Sequence, residues 1–354
     1  VWIQKNDLPF IAREVSTGFS IGEKGYLGMG VGGGAYRNDF WEYNPTIDQW
    51  TQKADFPGTG QAVPASFVIG AKAYVGTGQT SAGTGSKDFW EYDPATDSWT
   101  QKTDFGGTAR MAAVGFAIDG KGYIGTGNDG THRKDFWEYD PMTDSWTQKA
   151  DFGGTTRFLA TGFAIGNKGY LGTGNDGTTR KDFWEYDPAT DSWAQKSDFG
   201  GAARNGAIGV SFGEMGLLGL GTGGIYHDDF WKYDPNSDSW IQIPDFRGPL
   251  RDLTVGFTSG NVAYIGTGNN GGQLNDLWTY HENQSNMLTV TPDGNAQWVE
   301  QTWETTGFDI YNTTGGNVGI GTNGAPEANL HVDGGSFWLT GQHNFHLPAS
   351  AGEG

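Results

Sequence analysis

Cysteine is absent from the 354 residues, which excludes disulfides, thiolate metal sites and cysteine nucleophiles together. Basic residues are scarce: 22 Lys and Arg stand against 41 Asp and Glu, a formal net charge of −19. A surface of that sign repels phosphate backbones and bare anionic membranes, so neither nucleic acid nor a membrane surface is an expected partner. No apolar run approaches the ~20 residues that span a bilayer, and membrane insertion is not expected. No secretion signal is visible at Val1, and the abrupt start on a strand-like segment reads as a processed end or a fragment. What abounds is glycine, with 60 residues, and aromatics, 14% of the chain including 15 tryptophans. Disordered chains lack the aromatics that build a core. Many short strands joined by tight turns need both kinds of residue.

Internal repetition sets the fold. The string Asp-Phe-Trp-Glu-Tyr or a close variant places tryptophan at 41, 90, 137, 184, 231 and 278, spaced by 49, 47, 47, 47 and 47 residues. A second tryptophan follows nine residues later at 50, 99, 146, 193 and 240. In the sixth copy Met287 stands in its place, and the missing tryptophan is at the other end of the chain. Val1-Trp2-Ile3-Gln4-Lys5 matches Ser145-Trp146-Thr147-Gln148-Lys149. The chain therefore opens with the last strand of a repeat, and joining its ends removes the open sheet edges that invite aggregation.

Each repeat reads as four short strands bounded by Gly, Asn, Asp and Pro clusters. In the fourth copy these are 162–165, 169–172, 182–186 and 192–195. The turn Asp187-Pro188-Ala189-Thr190-Asp191-Ser192 combines a fixed proline φ with aspartates that hydrogen-bond the turn backbone. The expected fold is an all-β six-bladed β-propeller over residues 1–282, closed by the N-terminal strand, with a small β-rich segment over 283–354.

The paired positions Tyr43/Trp50, Tyr92/Trp99, Tyr139/Trp146, Tyr186/Trp193 and Tyr233/Trp240, with Tyr280 paired to Trp2 by closure, resemble the Kelch family. One departure is the Gly-x-Gly after strand two, as in Gly125-Thr126-Gly127, where Kelch repeats usually carry a glycine doublet. The resemblance implies a propeller with strand one innermost. It implies no particular function, because propellers serve many. Galactose-oxidase-like enzymes use a related propeller for copper chemistry, but their cofactor needs a cysteine, and no cofactor is expected here.

Several motifs are coincidental. Gly-x-Gly-x-x-Gly starts at Gly28, Gly125, Gly172, Gly219 and Gly266, always between strands two and three, whereas a dinucleotide site needs it once, between a strand and a helix. Gly209-Val210-Ser211-Phe212-Gly213 matches a nucleophile elbow, but Ser211 aligns with Ala117 and Ala164 inside strand one. The Asn128-Asp129-Gly130 and Asn175-Asp176-Gly177 loops lack the run of alternating oxygen ligands that calcium needs, and His343 and His346 lack companion ligands. No metal and no catalytic residue is expected.

The constellation that remains is an arginine series. Arg13, Arg110, Arg157, Arg204 and Arg251 each lie six residues before the same strand-one position, with Gln61 in that place in the second repeat. With strand one innermost, they are expected to ring one mouth of the central channel. There they would hold a carboxylate or an acidic sugar, or each would pair with the aspartate opening strand three (Asp39, Asp88, Asp135, Asp182, Asp229, Asp276). On the same face the loops between strands two and three vary, and Tyr36, Tyr226 and His227 are candidates to stack on a sugar ring or pack against a partner.

After residue 282 the repeat stops. Two strand-like runs, 287–291 and 297–303, precede Asn317-Val318-Gly319-Ile320-Gly321-Thr322 and then Pro326, Ala328 and Leu330-His331-Val332. This resembles an element of the trimeric β-stalks of phage tail fibres and bacterial surface fibres, with one extra residue between Thr322 and Pro326. So short a segment with Trp298, Trp303, Phe337 and Trp338 needs other copies or the propeller to bury its apolar groups. The resulting expectation is a non-enzymatic extracellular adhesion protein, a propeller head recognising a glycan or cell-surface protein, trimeric through 283–354. The alternatives are a structural spacer of a surface filament or tail fibre, and a carbohydrate-active enzyme with two converging carboxylates.

Overall fold

The computed structural model describes residues 1–282, 287–290 and 296–299. Val1–Glu282 and Asn283–Gly354 are two separate compact units. In the first, six four-stranded antiparallel sheets form the blades of an all-β six-bladed propeller. In the second, Met287–Val290 pairs with Ala296–Val299 as an antiparallel hairpin. The Asn317–Val332 element, Trp303, Phe337, Trp338, His343 and His346 lie outside the described residues.

Blade 4 shows the plan, with strands Thr161–Ile165, Lys168–Gly172, Phe183–Asp187 and Ser192–Lys196. Strand one alternates buried and half-buried residues, and strand two is buried from its second residue on. Both faces of each sheet meet a neighbouring blade, which is why apolar residues fall on both sides of these strands. Strand three begins one residue later than the sequence suggests. Asp182 stands just ahead of the ladder, where its carbonyl accepts the Thr173 amide and its carboxylate meets Arg157.

The repeated Tyr and Trp tie each blade to the one before it. Tyr186 faces Trp193 across the ladder, and its hydroxyl donates to Asp191 at 2.8 Å. Asp191 also accepts the Ala150 amide, from the segment leaving blade 3, while the Trp193 indole donates to the Ala150 carbonyl at 3.2 Å. The inner strands add close packing. A Cβ built on Gly122 of blade 3 would lie 2.0 Å from the Phe67 ring of blade 2, so only glycine admits that ring.

The first and last strands close the ring. Trp2–Gln4 pairs with Leu277–His281, aligning Trp2 with Tyr280 and Gln4 with Trp278. Trp2 is 3% exposed. Its ring centroid lies 4.7 Å from Phe230, 4.9 Å from Phe246 and 5.1 Å from Tyr280. The blade 1 loop adds a small hairpin, Val31–Gly32 against Ala35–Tyr36. Gly33 and Gly34 form its two-residue turn with φ of 59° and 76°, the left-handed pair such turns require.

Candidate functional site

The arginines do not line the channel mouth. Arg13 is 1% exposed, and Arg110, Arg157, Arg204 and Arg251 are 0% exposed. Each guanidinium forks onto the aspartate ahead of strand three: Asp39, Asp135, Asp182, Asp229 and Asp276 receive two bonds each, at 2.5–2.9 Å. In Arg157 all five N–H donors are engaged, the remaining three by the carbonyls of Thr155 and Thr173 and the Thr155 hydroxyl. The guanidinium also lies 4.8 Å from the Phe152 ring centroid. Burial pushes the Asp182 carboxyl up, but the Arg157 fork and charge and the Trp184 indole N–H outweigh it and hold it below its ordinary value. Of the two roles open to the arginines, pairing with the strand-three aspartate is the one observed. No donor is left on Arg110 or Arg157 for a ligand carboxylate.

Blade 2 solves the same problem without a guanidinium. Asp88 accepts from the Thr59 amide at 2.6 Å and from the Ser86 hydroxyl, with the Trp90 indole farther off at 3.4 Å. The linker backbone passes so close to the Gly-x-Gly turn that a Cβ on Gly60 would fall 1.8 Å from the Thr77 carbonyl oxygen. Gln61 is half-buried beside that linker.

The mouth is formed by the two positions that lie two and three residues after each arginine. Val15, Ser16, Val63, Pro64, Ala112, Ala113, Leu159, Ala160, Gly206, Ala207, Leu253 and Thr254 surround an open cavity of about 120 Å³. Val15, Val63, Ala112, Leu159, Gly206 and Leu253 all have left-handed φ, between 44° and 60°. The left-handed region is strained for non-glycine residues and most of all for β-branched ones. The strain is held in place by a closed ring of backbone hydrogen bonds. The Val63 amide donates to Val15, Ala112 to Val63, Leu159 to Ala112, Gly206 to Leu159, Leu253 to Gly206 and Val15 to Leu253, at 2.7–3.3 Å.

A second ring runs the opposite way around the axis. The second glycine of each Gly-x-Gly donates to the arginine-position carbonyl of the next blade: Gly30 to Gln61, Gly127 to Arg157, Gly221 to Arg251, and finally Gly268 to Arg13. These glycines have φ of 87–107°, which explains the Gly-x-Gly spacing as blade-to-blade bonding.

Between the two rings lies one residue per blade: Glu14, Ala62, Met111, Phe158, Asn205 and Asp252. Its backbone pairs with the strand two–three loop of its own blade, as Met111 does with Asn128 and Asp252 with Asn269. No residue is repeated among the six, and the rim they form beside the mouth is chemically two-sided. One flank carries Met111 and the half-buried Phe158, with the His132 ring centroid 4.7 Å from that of Phe158. The other carries Asn205, Asp252 and Glu14, where the Asn269 side-chain amide donates to Glu14 at 2.8 Å and that of Gln273 at 3.3 Å. Burial and the neighbouring Glu14 charge push the Asp252 carboxyl up to about 6. Repetition hid these positions, because an alignment of repeats draws the eye to the arginine that recurs rather than to its variable neighbour.

The expected loop residues are on the same face but not in one cluster. Tyr36 is half-buried in blade 1, and its hydroxyl donates to Gln79 of blade 2 at 3.0 Å. Tyr226 and His227 are half-buried in the blade 5 loop, with Tyr226 paired to Thr222 and the His227 amide donating to the Gly221 carbonyl. Burial and the nearby Arg204 hold the His227 imidazole below its ordinary value, against the pull of Asp229 and Asp228. No group of three or more His, Cys, Asp or Glu side chains placed to hold a metal ion occurs among the described residues.

No protein-family model matches the chain, and no curated protein matches it. Among solved structures, one titled "Structure of YjhT" is similar at 18% sequence identity. The likeness covers 78% of this chain and 97% of that one, with a TM-score of 0.67. At that identity the likeness is one of fold.

Proposed function

We propose that residues 1–282 are a Kelch-type propeller acting as the binding head of an extracellular, fibre-like surface protein, with a glycan as the preferred ligand and a cell-surface protein as the rival one. One observation supports this above the rest. The polar groups that build the arginine-bearing face are engaged with each other, whereas the one residue per blade between the two backbone rings differs all the way round. A sugar has an apolar C–H face and a hydroxyl edge. Phe158 and His132 suit the first, and Asn205, Asp252 and Glu14 suit the second. Tyr36, Tyr226 and His227 extend the contact surface outward from that mouth. With the arginines engaged internally, a neutral sugar fits this chemistry better than an acidic one.

Residues 283–354 are the proposed stalk and trimer-forming segment. Glycan-array binding with the purified full chain tests the head. Phe158→Ala is expected to abolish the strongest array signals, and Tyr226→Ala with His227→Ala to weaken them. An array without any signal favours a structural spacer. For the stalk, native mass measurement is expected to give a trimer for the full chain and a monomer for 1–282; a monomer in both refutes it.

A second reading, a carbohydrate-active enzyme, has Glu14 and Asp252 in its favour. They are two carboxyls on adjacent blades beside the mouth, and one of them is raised toward neutrality by burial and by the other's charge, as a general acid would be. Release of reducing ends from polysaccharides would select this reading.

A further inference from the structure

Glu14 and Asp252 occupy equivalent positions on blades 1 and 6, and a single residue holds them together. Asn269 pairs through its backbone with Asp252, amide to carbonyl in both directions at 3.0 Å. Its side-chain amide reaches across to Glu14 at 2.8 Å, joined by that of Gln273 at 3.3 Å. The clamp arginines of blades 1 and 6 give no relief, and Arg37 on the blade 1 loop donates to the Gly32 carbonyl. Arg13 is engaged by Asp39 and the Ile11 and Met29 carbonyls, and Arg251 by Asp276 and the Pro249 and Thr267 carbonyls. From blade 5, Gly206 packs against Asp252, where a Cβ would sit 3.4 Å from that of the aspartate, and its neighbour Asn205 is uncharged. Neither Glu14 nor Asp252 has an ion-pair partner among the described residues. Both are half-buried, so water screens them incompletely.

We propose that the Glu14–Asp252 pair is a proton-dependent latch across the boundary between blades 1 and 6. Protonation of Asp252 removes its repulsion with Glu14 and lets the two mouth segments close on Asn269, and loss of that proton loosens them and the mouth they flank. The latch rests on the placement of the pair and holds whatever ligand the mouth takes. The raised Asp252 carboxyl gives the sign. A group whose folded value lies above its unfolded one stabilises the fold fully below the unfolded value, and that stability is lost as pH rises through the folded value, here from about 3.8 to about 6. The clamp aspartates Asp39, Asp135, Asp182 and Asp229 are held low and act below that window. The depressed His227 titrates nearby with the opposite sign, so the informative quantity is a difference between variants.

The test compares melting temperatures of the full chain, Asp252→Asn and Glu14→Gln from pH 7.5 to pH 4.5. On acidification the wild type is expected to gain roughly 2–4 °C relative to Asp252→Asn, and Glu14→Gln to keep only part of that gain. Hydrogen exchange corrected for intrinsic rates should show the Val15 and Leu253 amides better protected at pH 5 than at pH 7.5 in the wild type alone. Parallel pH profiles for wild type and Asp252→Asn overturn the latch. If Asp252→Asn does not fold, carboxyl NMR titration of the wild type decides. A midpoint near 6 for Asp252 supports the proposal, and one at or below the ordinary aspartate value refutes it.

Discussion

Arg157 has the chemistry of a ligand-binding residue and the surroundings of a structural one. Its planar fork matches a carboxylate, and the carboxylate it meets is Asp182, 25 residues along the same chain. A lysine there would carry the charge but offer three donors on a flexible stem, without the fork or the flat face over Phe152. Arg157→Lys is therefore expected to destabilise the propeller by about 2–3 kcal/mol, read as a lower urea midpoint with an unchanged slope. Binding at the mouth should survive in the folded fraction. The sequence offered both roles for these arginines because residue type fixes what a side chain bonds, whereas burial decides whether the partner comes from inside or outside. Asp252 and Glu14 were harder to see. Each is one acidic residue among 41 in the sequence, and nothing local marks the two as neighbours.

Among structural elements, the segment entering strand one carries a left-handed residue in every blade. Its left-handed residues at the mouth are Val, Val, Ala, Leu, Gly and Leu in blade order, so only blade 5 uses the residue that adopts this φ freely. If the ring of backbone bonds is what holds Val63 at φ 44°, glycine there should keep the bonds and relieve the strain. Val63→Gly is expected to stabilise by about 1 kcal/mol, the left-handed penalty less the entropy cost of glycine. Differential scanning calorimetry would register this as a higher melting temperature. A large loss instead would assign the Val63 side chain a packing role in the cavity that outweighs its strain. Strand order, the Asp-Pro turns and the Tyr–Trp pairs were legible because side-chain types recur at fixed spacing. The two rings were not, since they are made by backbone amides and carbonyls that leave no residue signature beyond the second glycine of Gly-x-Gly.

At the scale of the whole propeller, closure is the step on which every blade depends. It was legible from one displaced tryptophan: Trp2 supplies what Met287 does not, and the pairing with Tyr280 agrees with that reading. Trp2 packs against three aromatic rings and donates its indole N–H to the Pro244 carbonyl at 2.8 Å. Trp2→Ala leaves a cavity at the seam and is expected to cost about 3–5 kcal/mol. In a closed ring that loss should lower the single cooperative unfolding transition rather than create a separate one for blade 6. Denaturation followed by near-ultraviolet circular dichroism and by hydrogen exchange would distinguish the two.

The opposed backbone rings carry a consequence for how such a protein diversifies. Each segment between them is anchored on both sides by main-chain atoms, which any amino acid supplies. The intervening side chain is thereby released from making the ring bonds themselves. Ala62, Met111, Phe158 and Asn205 behave as independently writable letters around one opening, while Glu14 and Asp252 are read as a pair across the seam. A new specificity can be composed by rewriting one blade at a time, while the alphabet of the scaffold stays fixed.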